Sequence, residues 1–250
     1  MEFISLEVTD RVAVMTLRNE KALNAISVAM LREMDEALDS LNDAAVLVIT
    51  GGGEKAFAAG ADIAGMKDFI PEQALEYSHF GNRVFRRIET LPIPVIAAVN
   101  GYALGGGLEL AMSADFRVMA DSAAVGQPEA SLGMTPGFGG TQRLSRLVGR
   151  SAAKYLLFTC DTIKADRAYQ LGLAEAVVPK AELMDTVMAL AKKIAGMPAS
   201  ALRGGKKAVN EGLELGLDDA LELEAHMYAD CFHTDDPARL MTAFLERRKK

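Results

Sequence analysis

Three glycine-rich loops are the feature that most limits what this chain can fold into. They occupy residues 51–62, 100–107 and 133–141, and each follows a strand-like segment. In folds that alternate strands with helices, ligands bind where the strands end. The sequence therefore predicts an α/β fold with a binding site assembled from these loops.

The strand and helix patterns support this fold class through the first two thirds of the chain. Residues 3–8 and 12–17 predict a hairpin that turns at Asp10-Arg11, and residues 46–50 and 95–99 predict buried strands. Two helices are also predicted, one capped by Ser27 and one that starts at Pro71 and runs to about Glu89. This alternation is typical of strands joined by crossover helices.

Beyond Arg150 the pattern is helical almost throughout. The predicted helices cover residues 151–159, 164–171, 180–195, 199–213, 218–232 and 237–249, and only residues 176–178 look like a strand. Asp236 precedes Pro237 and is a predicted cap for the last helix. We expect an α/β core followed by a helical C-terminal region.

Charge, cysteine and histidine content exclude several classes of function. The 250-residue chain has a net charge of −7, and its basic residues are scattered apart from 247–250, so we expect no nucleic-acid partner. The two cysteines lie far apart and the three histidines show no metal-ligand spacing. Neither a metal site nor a disulfide is expected.

The N-terminus and the most apolar segment predict a cytoplasmic protein. Residues 1–7 contain acids in an alternating pattern, without the basic stretch and apolar run of a signal peptide. The most apolar stretch, residues 94–112, is interrupted by Asn100, four glycines and Glu109, which argues against a membrane span.

The glycine-rich loops suit amide donation better than nucleotide binding. Residues 60–65 lack the Lys-Ser/Thr pair of a P-loop, and neither a Rossmann GxGxxG nor a GxSxG serine elbow is present. Gly105 to Gly107 precede a helical stretch, so free amides there can point at a developing oxyanion, with a second amide from residues 59–62. The alternative is that these glycines only form tight turns.

Two carboxylates, Glu109 and Glu129, lie in short apolar segments flanked by glycine. A carboxyl group beside apolar side chains loses hydration, which raises its pKa and lets it exchange a proton near neutral pH. Two such groups can deprotonate one atom and protonate another. The alternative is that each is an ordinary exposed glutamate.

Three segments together resemble the enoyl-CoA hydratase (crotonase) family. They are residues 56–62 (AFAAGAD), residues 97–111 (AAVNGYALGGGLELA), and residues 126–144, which begin GQPE and end GGTQRL. The resemblance extends over essentially the whole chain, including the TAFLERR ending at residues 242–248.

The resemblance implies a crotonase fold, α/β in class. A repeated ββα spiral core would span residues 1–195, and a helical trimerisation region would span residues 196–250. The expected assembly is a homotrimer or a dimer of trimers, which is a hexamer. The expected substrate is an acyl-CoA thioester of fatty-acid or butyrate metabolism, with no cofactor besides the coenzyme A that belongs to the substrate.

The resemblance also implies a role for particular residues. The amides of Ala61 and Gly106 would form the oxyanion hole, with Glu109 and Glu129 as the acid/base pair. Coenzyme A would lie along the loop 59–64, and the substrate-binding residues would be Lys21, Leu23, Lys55, Ala59, Asp62, Ile63 and Phe138. For Lys21 and Lys55 an ordinary solvated position is the alternative.

The implied reaction is the reversible syn addition of water to a trans-2-enoyl-CoA. Glu109 would deprotonate the water and Glu129 would protonate C2. An enoyl-CoA isomerase is the nearest alternative, and a noncatalytic acyl-CoA-binding or RNA-binding relative is another. Phe138 lies on a glycine-rich loop soon after Glu129, so its ring either closes the acyl pocket and favours short chains, or only packs.

Overall fold

The computed structural model describes residues 1–248, which contain two sheets. The larger sheet has, in spatial order, β1 (Ile4–Thr9), β2 (Val12–Leu17), β3 (Val46–Gly51), β5 (Val95–Val99), β7 (Phe116–Ala120) and β10 (Ala176–Val178). The smaller sheet has β4 (Ala56–Ala58), β6 (Tyr102–Leu104), β8 (Ala124–Gly126) and β9 (Ile163–Lys164). Neighbouring strands are parallel except β1 with β2 and β8 with β9.

The helices follow the strands in a repeating order. They are α1 (Val28–Asp39), α2 (Ile63–Met66), α3 (Pro71–Glu89), α4 (Gly106–Ser113), α5 (Gly140–Thr159), α6 (Ala165–Gln170), α7 (Leu183–Ala195), α8 (Ala199–Gly212), α9 (Leu217–Cys231) and α10 (Asp236–Arg247). A strand of the large sheet, a short strand of the small sheet and a helix recur in β3-β4-α3, β5-β6-α4 and β7-β8-α5. The predicted ββα repeat is therefore confirmed.

Several local predictions are confirmed by the backbone. β1 and β2 pair as a hairpin in which Asp10 and Arg11 turn the chain with φ of 51° and 63°. The Ser27 hydroxyl accepts a hydrogen bond from the amide of Met30 at 3.1 Å and caps α1, and Pro71 is the first residue of α3.

Other local predictions are corrected. The short strands β4, β6, β8 and β9 went unpredicted, because two or three residues are too few to show an alternating pattern. α5 begins at Gly140, well before residue 151, and its helical backbone is interrupted at Gly149 (φ 78°). Asp236 is the first residue of α10 and not its cap. The predicted end of that helix at residue 249 lies outside the described residues.

The helices after α7 extend away from the core. α7 packs against β2, β3, β5 and β7, whereas α8 packs mainly against α9. A buried ion pair joins α8 to the core, because Lys206 Nζ lies 2.9 Å from Asp115 Oδ2 and 2.9 Å from the Ile93 carbonyl. No residue of α9 or α10 is buried in the single chain.

Large apolar side chains are exposed along this C-terminal arm, which we define as residues 209–248. They are Val209, Leu213, Leu215, Leu217, Leu221, Tyr228, Phe232, Leu240, Met241, Phe244 and Leu245, each at least 42 % exposed. So many exposed large apolar side chains in one segment are typical of a surface that another chain covers.

Among residues 1–248, no helix combines the length and apolar content needed to cross a bilayer. Within the same range, no group of three or more His, Cys, Asp or Glu side chains is placed to hold a metal ion. Cys160 and Cys231 are free thiols.

Candidate active site

The three parallel strands of the small sheet, β4, β6 and β8, end at the same edge, so the loops that follow them converge. A cavity of about 430 Å³ lies between these loops. Of the sequence-predicted residues, its lining contains Ala59, Ala61, Ile63, Gly106, Glu109, Glu129 and Phe138. The structure thus brings both carboxylates and both expected amide donors into one cavity.

Glu109 lies in the first turn of α4 and is only 1 % exposed. Its Oε1 accepts two backbone hydrogen bonds, from the amide of Phe138 at 2.8 Å and from that of Gly140 at 2.6 Å. Gly140 is the first residue of α5, whose N-terminal amides lack partners within the helix and carry the positive end of its dipole. The carboxyl group therefore occupies the N-terminus of a second helix.

Opposing influences set the pKa of Glu109. Burial has the largest effect and raises this pKa, and the net result of all the influences is a pKa of about 7 in place of the ordinary 4.5. The amides of Gly140 and Phe138 and the charge of Arg143 lower the pKa, whereas the negative charge of Glu129 raises it. A buried carboxyl balanced in this way can hold or release a proton at neutral pH.

Glu129 begins a 3-10 turn, Glu129–Leu132, and is half-buried. Burial raises its pKa as well. The side-chain amide of Gln127, turned so that its nitrogen faces Glu129, donates to both carboxylate oxygens at 2.8 and 3.0 Å. Gly105 adopts φ of 48°, and a Cβ there would lie 2.9 Å from Glu129 Oε1, so this position accepts only glycine without strain.

The backbone around Ala61 and Gly106 is arranged for amide donation. The Ile26 amide donates to the Gly60 carbonyl, and the Ile26 carbonyl accepts from the Asp62 amide. Both hydrogen bonds involve the residues on either side of Ala61, so neither uses the Ala61 amide. Gly106 is the first residue of α4, where amides lack an intrahelical acceptor. A Cβ built on Gly106 would lie 3.5 Å from Ala61 N, which places the two residues side by side.

Phe138 is both a lining residue and a packed residue. Its ring is 3 % exposed and lies edge-to-face with Tyr77 at 4.9 Å and with Phe85 at 5.5 Å between ring centroids. A Cβ at Gly81 would lie 2.3 Å from this ring, so the ring rests directly on the backbone of α3. The ring is therefore packed in the core and also lines the cavity. Its effect on the preferred acyl chain length stays a prediction.

The remaining predicted residues lie outside the cavity lining. Lys21 and Lys55 are exposed. Leu23 is 38 % exposed, and its carbonyl accepts the amide of Ala59 at 2.9 Å, which ties it to the loop that borders the cavity. Asp62 is half-buried, and its backbone amide donates a hydrogen bond to the Ile26 carbonyl. Contact of these four residues with a substrate stays a prediction.

Two residues of the site had no role in the sequence-based prediction. Gln127 is fully buried, and its only signal in the sequence is a polar amide between a glycine and a proline beside Glu129. Tyr77 lines the cavity, and its hydroxyl donates to the Ile26 carbonyl at 2.7 Å, while burial raises its pKa. Tyr77 falls on the apolar face of a helix, where an aromatic residue usually signals packing alone.

Comparisons with known proteins show which family of sequences this chain resembles. The sequence profile of the family described as Enoyl-CoA hydratase/isomerase matches residues 7–250. A short-chain-enoyl-CoA hydratase from Clostridium acetobutylicum is 49 % identical over 249 residues, which cover 98 % of this chain and 95 % of that protein. A crotonyl-CoA hydratase from Syntrophomonas wolfei is 48 % identical over 251 residues, covering 99 % and 96 %.

Solved structures show the same fold. The crystal structure of an enoyl-CoA hydratase from Bacillus anthracis superposes with a TM-score of 0.94 at 38 % identity, covering 98 % of this chain and 96 % of that one. An enoyl-CoA hydratase subunit from Geobacillus kaustophilus also gives 0.94 at 38 % identity, covering 99 % and 97 %. The expected crotonase fold is confirmed by these neighbours.

Proposed function

The chain belongs to the enoyl-CoA hydratase/isomerase family, and from that premise we infer that it is a short-chain enoyl-CoA hydratase. It adds water reversibly to a trans-2-enoyl-CoA and produces a 3-hydroxyacyl-CoA. The observation that carries the mechanism is the pair of carboxyl groups with raised pKa values that face one cavity beside two free backbone amides.

The amides of Ala61 and Gly106 would bind the thioester carbonyl oxygen. Polarisation of the carbonyl makes C3 of the conjugated double bond electrophilic, and negative charge collects on this oxygen when a nucleophile adds at C3. Fixed amides stabilise that charge without reorganising during the reaction. The enolate-like state is therefore bound more tightly than the substrate, as catalysis requires.

In the proposed step, the ionised Glu109 carboxylate takes a proton from water as the water oxygen bonds to C3. The neutral Glu129 carboxyl gives its proton to C2, so hydroxyl and hydrogen arrive on the same face. Glu109 ends the step protonated and Glu129 ionised, and exchange with solvent restores the starting state. Because two nearby carboxyl groups titrate as a coupled pair, these assignments describe one protonation state of the pair.

Water, two carboxyl groups and backbone amides are sufficient for this chemistry, so the proposal includes no cofactor beyond the coenzyme A of the substrate. Coenzyme A would extend from the cavity along residues 59–64, and its phosphates would meet the exposed Lys21 and Lys55. The short-chain preference is supported by the buried Phe138 ring in the cavity wall. The cytoplasmic location stays a prediction.

We further propose that the protein assembles as a homotrimer or a dimer of trimers. The apolar side chains of the C-terminal arm support this, because a single chain leaves them in water. In this proposal residues 1–195 form the catalytic core and residues 196–250 form the trimerisation region. Light scattering of the purified protein measures the assembly, and a monomer would contradict the proposal.

The activity is tested by mixing the purified protein with crotonyl-CoA. We expect the absorbance of the conjugated enoyl thioester to decrease as 3-hydroxybutyryl-CoA forms. A protein that leaves crotonyl-CoA unchanged but moves the double bond of 3-butenoyl-CoA would instead be an isomerase. A protein that binds both esters and changes neither would be a noncatalytic binder.

A further inference from the structure

One face of α3 holds the loop that donates to Glu109. Asn82 Nδ2 donates to the carbonyl of Gly137 at 2.8 Å, and the Ser78 hydroxyl donates to the same carbonyl. Asn82 and Ser78 are four residues apart, so they lie on the same side of the helix. Asn82 is also fixed by donating to the Ser78 carbonyl at 3.0 Å.

The carbonyl that these side chains hold belongs to the peptide group that serves Glu109. Gly137 supplies the C=O of this group and Phe138 supplies the N–H, and the two point in opposite directions because the peptide is trans. Donors at the carbonyl aim the N–H at Glu109 Oε1, 2.8 Å away. They also polarise the peptide, which makes the N–H a stronger donor.

The next carbonyl along the loop is held independently. Arg143 donates from one terminal nitrogen to the Phe138 carbonyl at 2.8 Å, and its other terminal nitrogen contacts Glu89 at 3.0 Å. Glu89 is the last residue of α3. Two consecutive carbonyls of the loop are therefore fixed to α3, one directly and one through Arg143.

We propose that Asn82, together with Ser78, is a positioning residue for Glu109, which keeps the Phe138 amide directed at the Glu109 carboxylate. This inference rests on the proposed function for its catalytic meaning, but the hydrogen-bond chain does not depend on the substrate. Asn82 acts through the peptide group and does not line the cavity.

Several charged or titratable groups act on Glu109 from the elements around it. Glu129 of the 3-10 turn raises the pKa of Glu109, and Arg143 of α5 lowers it. Tyr77 of α3 is a neutral phenol whose own pKa is raised by burial and by the charges of Asp62 and Glu109. Asn82→Ala and Ser78→Ala change none of these charges. Because Asn82 lies outside the cavity lining, Asn82→Ala isolates the peptide group, whereas Ser78→Ala also changes the lining.

The test measures the titration midpoint of Glu109 from the infrared band of its protonated carboxyl group. The band is assigned to Glu109 by its loss in Glu109→Gln. Asn82→Ala removes one of the two side-chain donors at the Gly137 carbonyl and leaves the Phe138 amide less well directed at Glu109. We therefore expect the midpoint to rise by up to about 1 pH unit, which is the effect of losing one hydrogen bond to a charged group entirely. Ser78→Ala should raise it by less. This measurement needs no substrate, so it stands even if the hydratase assay fails.

With an active enzyme, the acid limb of the kcat/KM profile for crotonyl-CoA should move to higher pH in Asn82→Ala by the same amount, with KM little changed. Asn42→Gly is the matched control, because Asn42 also donates an amide to a backbone carbonyl, that of Ser40 at 3.1 Å, but lies on the turn after α1, away from the loop. Glycine accepts the φ of 49° at this position. An unchanged midpoint in folded Asn82→Ala or Ser78→Ala, or an equal rise in Asn42→Gly, would overturn the proposal.

Discussion

Replacing Glu109 with glutamine should stabilise the protein at alkaline pH while it removes most of the activity. The amide has the shape of the carboxyl group, and its oxygen can still accept from Phe138 and Gly140. It carries no charge at any pH. The variant therefore separates the energetic cost of a buried carboxylate from its catalytic use.

The size of the stability change follows from the pKa. Burial, partly offset by the two backbone amides, leaves the pKa of Glu109 at about 7 in place of 4.5. In the folded state this carboxyl binds its proton more tightly than in the unfolded state, so its contribution to stability is complete below pH 4.5 and is lost as the pH rises through 7. At 1.36 kcal/mol for each pKa unit, the loss amounts to about 3 kcal/mol by pH 8.

Urea denaturation of both proteins at pH 5 and pH 8 measures this difference, with the protomer concentration held constant because the proposed assembly would contribute to stability. About 0.8 kcal/mol of the loss has already occurred at pH 5. We therefore expect the stability of Glu109→Gln relative to the natural protein to be about 2.5 kcal/mol more favourable at pH 8 than at pH 5. Glu36→Gln is the control, because Glu36 is exposed on α1 and should show no such change. Turnover of crotonyl-CoA by Glu109→Gln should fall by about 10²–10⁴-fold.

A stability difference that is the same at both pH values would refute the reasoning, because it would mean that Glu109 titrates alike in the folded and unfolded states. A glutamine variant that is less stable at pH 8 would refute it more strongly. Near-normal turnover of the variant would instead refute the role of Glu109 in catalysis.

Substitutions at three further positions test other parts of the site. Glu129→Gln should lower turnover by about 10²–10⁴-fold with little change in binding of the CoA ester, and an active variant would contradict the two-carboxylate mechanism. Gly106→Pro removes the proposed oxyanion donor and should cost about 3 kcal/mol in the transition state, whereas Gly106→Ala keeps the amide and should stay active. Phe138→Ala should lower the free energy of unfolding by about 3–5 kcal/mol. It should also raise kcat/KM for a ten-carbon enoyl-CoA relative to a four-carbon one. An equal fall in kcat/KM for both substrates would mean that Phe138 only packs.

Elements with strong local signals could be predicted from the sequence. Ser27 caps α1 because its hydroxyl satisfies a free amide, and Pro71 starts α3 because a first-turn residue needs no amide donor. The strands of the small sheet could not be predicted in this way. β4, β6 and β8 have three residues each, and they are strands because they pair with one another across distant parts of the chain.

The candidate site, like the fold, could be predicted from the sequence only where a residue stands out from its neighbours. Glu109 and Glu129 stand out because charged residues are unusual in apolar, glycine-flanked segments. Gln127 and Asn82 carry no comparable signal, because their roles depend on which carboxylate or carbonyl the fold places beside them. A buried amide is explained only by its partners, and partners distant in sequence are not visible in a local pattern.

The position of Glu109 shows why a carboxyl group in the role of general base, which we propose for Glu109, needs both a helix terminus and a buried site. Burial alone would keep the carboxyl group protonated at neutral pH, and it could not then accept a proton from water. Exposure at a helix N-terminus alone would keep it ionised and weakly basic. The amides of Phe138 and Gly140 offset part of the cost of burial, which leaves the pKa of Glu109 at about 7. The hydrogen bonds that hold this loop to α3 therefore bear directly on how readily Glu109 accepts a proton.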